Sequence, residues 1–259
     1  MKDFYTAFFS STESSQAHRA FCERVFGKDL CQHGFADLAQ LHLLMEVTQL
    51  GPNHRALDLG CGNGRITEYL SDCTGAHMTG LDFIPEAISQ AQHYTVSKSE
   101  RLLFTVGDIN QLKLTDCSFD VILSIDSMYF SQNYTDTIRN LAAALRPNGQ
   151  MIILYSYGRE PWIPKEAFPK EKLLADKTPL AEALQANGLV FQTWDLTRQE
   201  YELAQRRKEV LTELKSQFDA EGTMFIYDNR MGDAQGISLA IEDGLHARYL
   251  YHIQLAKTG

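Results

Sequence analysis

A doubly wound α/β sheet is predicted for this chain of 259 residues by three observations. Residues 55–70, RALDLGCGNGRITEYL, run an apolar strand into a glycine cluster and straight on into helix-favouring residues. Apolar segments of strand length then alternate with helical stretches as far as Tyr155. Successive strands end in an acidic residue, Asp58, Asp82 and Asp108, on the side of such sheets where ligands sit.

The glycine cluster comes first because it orients everything else. Gly60, Gly62 and Gly64 mark a tight turn with backbone angles that a β-carbon resists and with room for a ligand to approach the main chain. The helix that follows aims free N–H groups and a partial positive charge over the turn. Dinucleotide-binding enzymes use GxGxxG there to hold a pyrophosphate. The spacing here is D-x-G-x-G-x-G, and a carboxylate at Asp58 would repel phosphate but suit an ammonium group. This stretch resembles the first motif of the class I S-adenosylmethionine-dependent methyltransferases. The resemblance implies a Rossmann-like fold and a cofactor with a sulfonium and an amine and no phosphate. It places Asp58, Gly60, Cys61, Gly62 and Gly64 around that cofactor.

Ahead of the turn, residues 3–26 read as helical with Phe4, Tyr5, Phe8, Phe9, Phe21 and Phe26 as aromatic anchors. Ser10–Ser15 breaks this stretch into two helices, a serine or threonine capping the second, and Gly27 closes it. A further helix spans about Phe35–Leu50, and Gly51-Pro52-Asn53 turns into the first strand. The resemblance makes residues 1–50 a helical lid over the cofactor, with Gln32 near its methionine end.

After the turn, His77–Phe83 is the second strand, ending at Asp82, whose carboxylate can accept from two ribose hydroxyls. Phe83 or Ile84 can pack on an adenine face, and Pro85 opens the next helix. Leu102–Val106 is the third strand; the resemblance gives Asp108 the adenine amino group and Ile109 the ring. Phe119–Ile125 is the fourth, and the segment from Ser124 to Phe130 faces the point where a methyl group would depart. A helix at Thr135–Leu145, the turn Arg146-Pro147-Asn148-Gly149 and a fifth strand at Gln150–Tyr155 follow. Residues 156–172 hold three prolines and read as irregular. Thr178–Asn187 is a short helix and Leu189–Leu196 a sixth strand. Thr197–Phe218 is helical again, and the last strand comes only at Ala247–Leu255. Residues 197–245 are therefore an insertion, read as a roof over a substrate pocket in preference to a dimerisation arm. The sum is a Rossmann-like, doubly wound, seven-stranded and mostly parallel sheet with an antiparallel last strand. Residues 51–196 and 246–259 form its core, with the lid before it and the insertion within it.

Composition narrows the function. Hydrophobic residues make up 44% and charged residues 22%, as in ordinary globular domains. No apolar run approaches the roughly 20 residues that span a bilayer, and the N-terminus lacks a secretory pattern. The five cysteines are scattered with no CxxC, which fits reduced thiols in a cytoplasmic protein and argues against zinc. Histidines 42, 93, 246 and 252 are not spaced as metal ligands, so no metal is expected. A net charge of −9 without a basic run argues against a nucleic-acid partner. A small-molecule substrate, no membrane, and a monomer or homodimer are the corresponding expectations.

The layout is similar to that of small-molecule methyltransferases, the phosphobase N-methyltransferases and quinone C-methyltransferases among them. The resemblance implies displacement at the sulfonium methyl with S-adenosylhomocysteine leaving, an amine nitrogen being the first choice of acceptor and carbon or oxygen the others. Tyr5, His33, Asp126 and Tyr129 are candidates to take the acceptor's proton, and Tyr157, Arg230 and His18 to line its pocket. The phosphobase pattern has a histidine soon after the fourth strand; Phe130 stands there, so its tyrosine–histidine pair is not reproduced. Two other readings stay open: a module that holds S-adenosylmethionine without turnover, and a nicotinamide oxidoreductase, which Asp58 and the missing GxxG disfavour.

Overall fold

A computed structural model describes residues 2–255; residues 256–259, counted above with the core, lie outside the described residues. The chain opens with three helices, α1 (Lys2–Thr12), α2 (Gln16–Phe26) and α3 (Leu38–Thr48). The Ser10–Ser15 break holds: Ser15 caps α2 by accepting from the His18 N–H, and Gly27 ends it at φ 86°. Asp37 caps α3 in the same way, accepting from the Gln40 N–H.

The core then alternates as β1 (Arg55–Leu59), α4 (Arg65–Thr74), β2 (His77–Asp82), α5 (Pro85–Tyr94), β3 (Leu102–Val106), β4 (Phe119–Ile125), α6 (Tyr134–Ala144) and β5 (Leu145–Gly158). It ends with α7 (Pro179–Ala186), β6 (Leu189–Asp195), α8 (Thr197–Ala220), α9 (Met224–Glu242) and β7 (His246–Leu255). The seven strands lie in the order β3-β2-β1-β4-β5-β7-β6. All run parallel except β7, which is antiparallel to both β5 and β6. Central β1 is buried along its length apart from Arg55, as a strand covered on both faces must be. Leu41, Leu44, Leu70 and Ile88 cover one face of the sheet, and Ile138, Leu141, Leu180 and Leu184 cover the other.

Two details differ from the reading of the sequence. Residues 146–149 do not form a separate turn: β5 runs through them with an irregular register against β4 and Asn148 at φ 66°. Asparagine accepts that angle readily, so strand pairing continues past the kink. The stretch 197–245 is a pair of helices, because Gly222, at φ 68°, lets the chain reverse between α8 and α9.

Lid and insertion also turn out to share one core. Phe8, Phe9, Phe21, Val25 and Phe26 of the first two helices pack with Leu211, Leu214, Phe218 and Ile226. Glu221 binds the start of α2, accepting from Ser15 Oγ at 2.5 Å and from the Ala17 N–H at 2.9 Å. Segments far apart in sequence thus make a single helical cap over the carboxyl ends of the strands. His18 is buried in it and accepts from Arg230 Nη2 at 3.2 Å, and burial pushes its pKa well below 6.5. The folded cap keeps this ring neutral whereas the unfolded chain protonates it, so stability falls as the pH drops below about 6.5. His18→Gln, which keeps an acceptor, should flatten that fall by up to about 1.4 kcal/mol per pH unit. Urea unfolding at pH 7, 6 and 5 measures it.

Candidate active site

The cap and the sheet enclose a cavity of about 910 Å³, measured to its open mouth. Its floor is the β1–α4 turn, and the structure shows how that turn is held. The N–H groups of Gly60 and Cys61 donate to Leu81 O at 2.7 and 3.1 Å, and that of Gly64 to Cys61 O at 3.0 Å. The Gly62 N–H donates to Asp82 Oδ2 at 2.9 Å, and Asp82 Oδ1 accepts from the Ile84 N–H at 2.9 Å. Gly60 has φ 79°, and a β-carbon there would lie 2.4 Å from Ser127 Cβ. The residue must be glycine for β1 to end against Ser127, whose Oγ donates to Leu59 O at 2.5 Å. Four N–H groups that a pyrophosphate would need are therefore engaged within the protein, and a carboxylate stands beside them.

Of the cofactor residues expected from sequence, Gly60, Cys61, Gly62, Asp82, Phe83, Ile109 and Gln32 line the cavity. Asp58, Gly64, Asp108 and Ser124 do not. Asp58 lies behind the turn, accepting from Thr67 Oγ1 at 2.5 Å and tying β1 to the start of α4. Burial pushes its carboxyl up to about 6. The repulsion of phosphate argued from Asp58 therefore has no support at that position, which faces Thr67. Gly64 packs against Ala91 and Phe104. Asp108 accepts from the Asn110 N–H at 2.8 Å as a local turn cap, and buried Ser124 bonds Ser127 Oγ at 2.8 Å.

Among the catalytic candidates, Tyr5, His33, Asp126 and Tyr129 all line the cavity. The Tyr5 and His33 ring centroids are 4.9 Å apart, and Phe130 lies 5.9 Å from Tyr5 and 4.8 Å from Tyr129. Burial pushes the Tyr5 phenol up to about 12, with Asp233 adding to it. Burial, and then the Arg230 charge, pushes His33 down to about 3. Both stay uncharged near neutral pH, and such a histidine is too weak a base to deprotonate an ammonium. His33 Nε2 is buried among the described residues, closed off from water.

Asp126 has a different employment from that of a base. It sits at φ 53°, a strained angle for a residue with a side chain. Its carboxylate accepts from Arg248 Nη1 at 2.5 Å, Arg248 Nη2 at 3.1 Å and the Phe35 N–H at 2.7 Å. A β-carbon at Gly34 would meet Asp126 Oδ2 at 2.8 Å, so Gly34 lets the lid loop close onto this carboxylate. Asp126 is a positioning residue that fastens lid to sheet.

None of Tyr157, Arg230 and His18 reaches the cavity. Tyr157 stacks on Tyr155, with ring centroids 6.3 Å apart, on β5. Arg230 is wholly buried, lies over the rings of Phe8 and Phe21, and donates to the carbonyls of Gln32 and His33. It holds the lid loop from behind. Reading the sequence missed Phe9, which follows Tyr5 by one helical turn and could have been found by that spacing. It also missed Cys31 and Asn63, which carry no such signal.

The methyltransferase domain family model matches residues 50–208, more than half of the chain. The chain belongs to that methyltransferase family. It is 32% identical to an Arabidopsis thaliana phosphoethanolamine N-methyltransferase and 29% identical to one from Triticum aestivum, each over 56% of this chain. It spans less than a third of those proteins, 29% and 28% of their lengths. Its fold matches a Haemonchus contortus phosphoethanolamine N-methyltransferase solved with phosphomonomethylethanolamine and S-adenosylhomocysteine. The TM-score is 0.77 and the identity 16%, over 98% of this chain and 60% of that one. The Mycobacterium tuberculosis cyclopropane synthase MmaA2 gives a TM-score of 0.72 at 16% identity, over 96% and 98% of the two chains. The strand order and the antiparallel β7 are those of the class I methyltransferase fold.

Proposed function

We propose that this protein transfers the methyl group of S-adenosylmethionine to a small-molecule acceptor, an amine nitrogen by preference, with carbon or oxygen acceptors as the alternative. The observation that carries the reading is the capped cavity built directly on a glycine turn, with the Asp82 carboxylate at its floor bonded to the Gly62 N–H. The residues present fit the cofactor. Asp82 presents a carboxylate at the floor for ribose hydroxyls, Phe83, Ile84 and Ile109 offer apolar surface for a ring, and Gln32 stands on the lid side. When bound, the sulfonium supplies a methyl group already activated for displacement. This chain's residues supply the rest: the cap excludes water, the aromatic wall of Tyr5, Tyr129 and Phe130 positions the acceptor, and Asp126 and Arg230 fix the loop that carries His33. Because Tyr5 and His33 are uncharged and Asp126 is engaged, the site suits an acceptor that arrives as the free base. We further propose a protein of the cell interior, a monomer or homodimer without a nucleic-acid partner, on the ground of its scattered free cysteines and its net charge of −9 without a basic run.

Release of S-adenosylhomocysteine, measured across amines, quinols and phenols, tests the proposal. Product is expected with at least one acceptor class. Cofactor binding with no product from any of them would favour the reading as a binding module.

A further inference from the structure

We infer that the acceptor is an amine without a phosphate, held by aromatic rings. The inference rests on the methyl-transfer reading and concerns the same cavity. Among the described residues no lysine or arginine lines it, and its carboxylates are those of Asp82 and Asp126. Three arginines are fully buried nearby in the fold, but each faces away from the cavity into its own partners. Arg248 bonds Asp126, Gln40 and Ser156; Arg230 bonds backbone carbonyls; Arg207 lies 4.6 Å over the Phe35 ring with Asp233 at 3.9 Å. Within the turn, the N–H groups of Gly60, Cys61, Gly62 and Gly64 are already bonded inside the protein.

A phosphomonoester carries close to two negative charges at neutral pH, and a buried site must answer them with cations or free N–H groups. The carboxylates on this cavity's wall are Asp82 and Asp126, the second already paired with Arg248. A neighbouring surface cleft shares Cys31 and Asn63 and does contain Arg19, Lys28 and Arg65. Its charges are balanced by Glu13, Glu23 and Asp29, with Arg19 paired to Asp29 at 3.4 Å and Arg65 stacked 3.9 Å from the Tyr94 ring. The cavity's own strength is aromatic. Tyr5, Tyr129, Phe130 and the neutral His33 present ring faces and edges that hold an apolar body, or an ammonium by cation–π attraction.

The experiment is calorimetric titration of the full chain saturated with S-adenosylhomocysteine, using matched probes: ethanolamine and phosphoethanolamine, and tyramine and its O-phosphate. Prior titration with S-adenosylhomocysteine alone separates the two readings, because its failure to bind sinks the cofactor assignment and leaves the acceptor question without a site. The expected result is binding by at least one anion-free amine, with its anionic twin at least tenfold weaker. Equal or tighter binding of an anionic twin, or binding by none of the anion-free amines, would overturn the inference. Phe130→Lys supplies a control, since a cation placed in the wall should bring the phosphorylated twin at least tenfold closer to its partner. An unchanged ratio in a folded variant would also overturn it.

Discussion

Arg248→Met should cost about 3–5 kcal/mol of folding stability, the loss expected when one member of a buried ionic cluster is removed and its partners stay behind. Arg248 is wholly buried on β7 and touches two carboxylates, Asp126 at 2.5 Å and Glu200 at 3.7 Å. Glu200 is itself buried and bonds Ser156 Oγ at 3.0 Å and His246 Nε2 at 2.7 Å. Burial works to raise its pKa, but His246 and Arg248 outweigh that and hold its carboxyl below its ordinary value. Methionine fills much of the arginine's volume, so the predicted loss is chiefly electrostatic rather than a packing defect. The cap should loosen as well, because Asp126 without Arg248 no longer presents a fixed acceptor to the Phe35 N–H. Urea unfolding measures the change, and a loss below about 1 kcal/mol would mean that the cluster is not what joins lid, sheet and β7. Arg248→Lys, which keeps the charge but not the forked geometry, should fall between.

Asp82→Ala should weaken S-adenosylhomocysteine binding by about 2–3 kcal/mol, roughly 30- to 150-fold in Kd. Two effects add. A ribose would lose a charged acceptor in a site where burial already raises the Asp82 pKa. The turn would lose the acceptor of the Gly62 and Ile84 N–H groups, so its shape would no longer be fixed. Asp82→Asn keeps an acceptor oxygen and should fall between the two. A Kd within threefold of the unsubstituted protein would remove Asp82 from the site.

How far the sequence reaches is clear from particular residues. The sheet was legible because β1, the glycine turn and α4 are local: period, glycine spacing and helix caps all act within a few residues. Asp82 was legible for the same reason, as the last residue of a strand behind that turn. What could not be read was which way a side chain faces once distant segments meet. Asp58 belongs to Thr67, Asp126 to Arg248, and Arg230 to the carbonyls of residues 32 and 33. Each of those partners lies on another element, and Arg248 is more than a hundred residues from Asp126. One signal was nonetheless present: Arg248 is a charge inside the apolar run ARYLYHIQL, and a charge buried in a strand requires a partner. The shared core of lid and insertion was hidden for a similar reason, since neither amphipathic face names the other.

Titration of the unsubstituted protein with S-adenosylhomocysteine and, separately, with NADH measures most directly which nucleotide the floor at residues 60–64 accepts. A floor with four turn N–H groups already bonded within the protein and with the Asp82 carboxylate beside them predicts micromolar or tighter binding of the first and no measurable heat from the second. Heat from NADH with none from S-adenosylhomocysteine would contradict it.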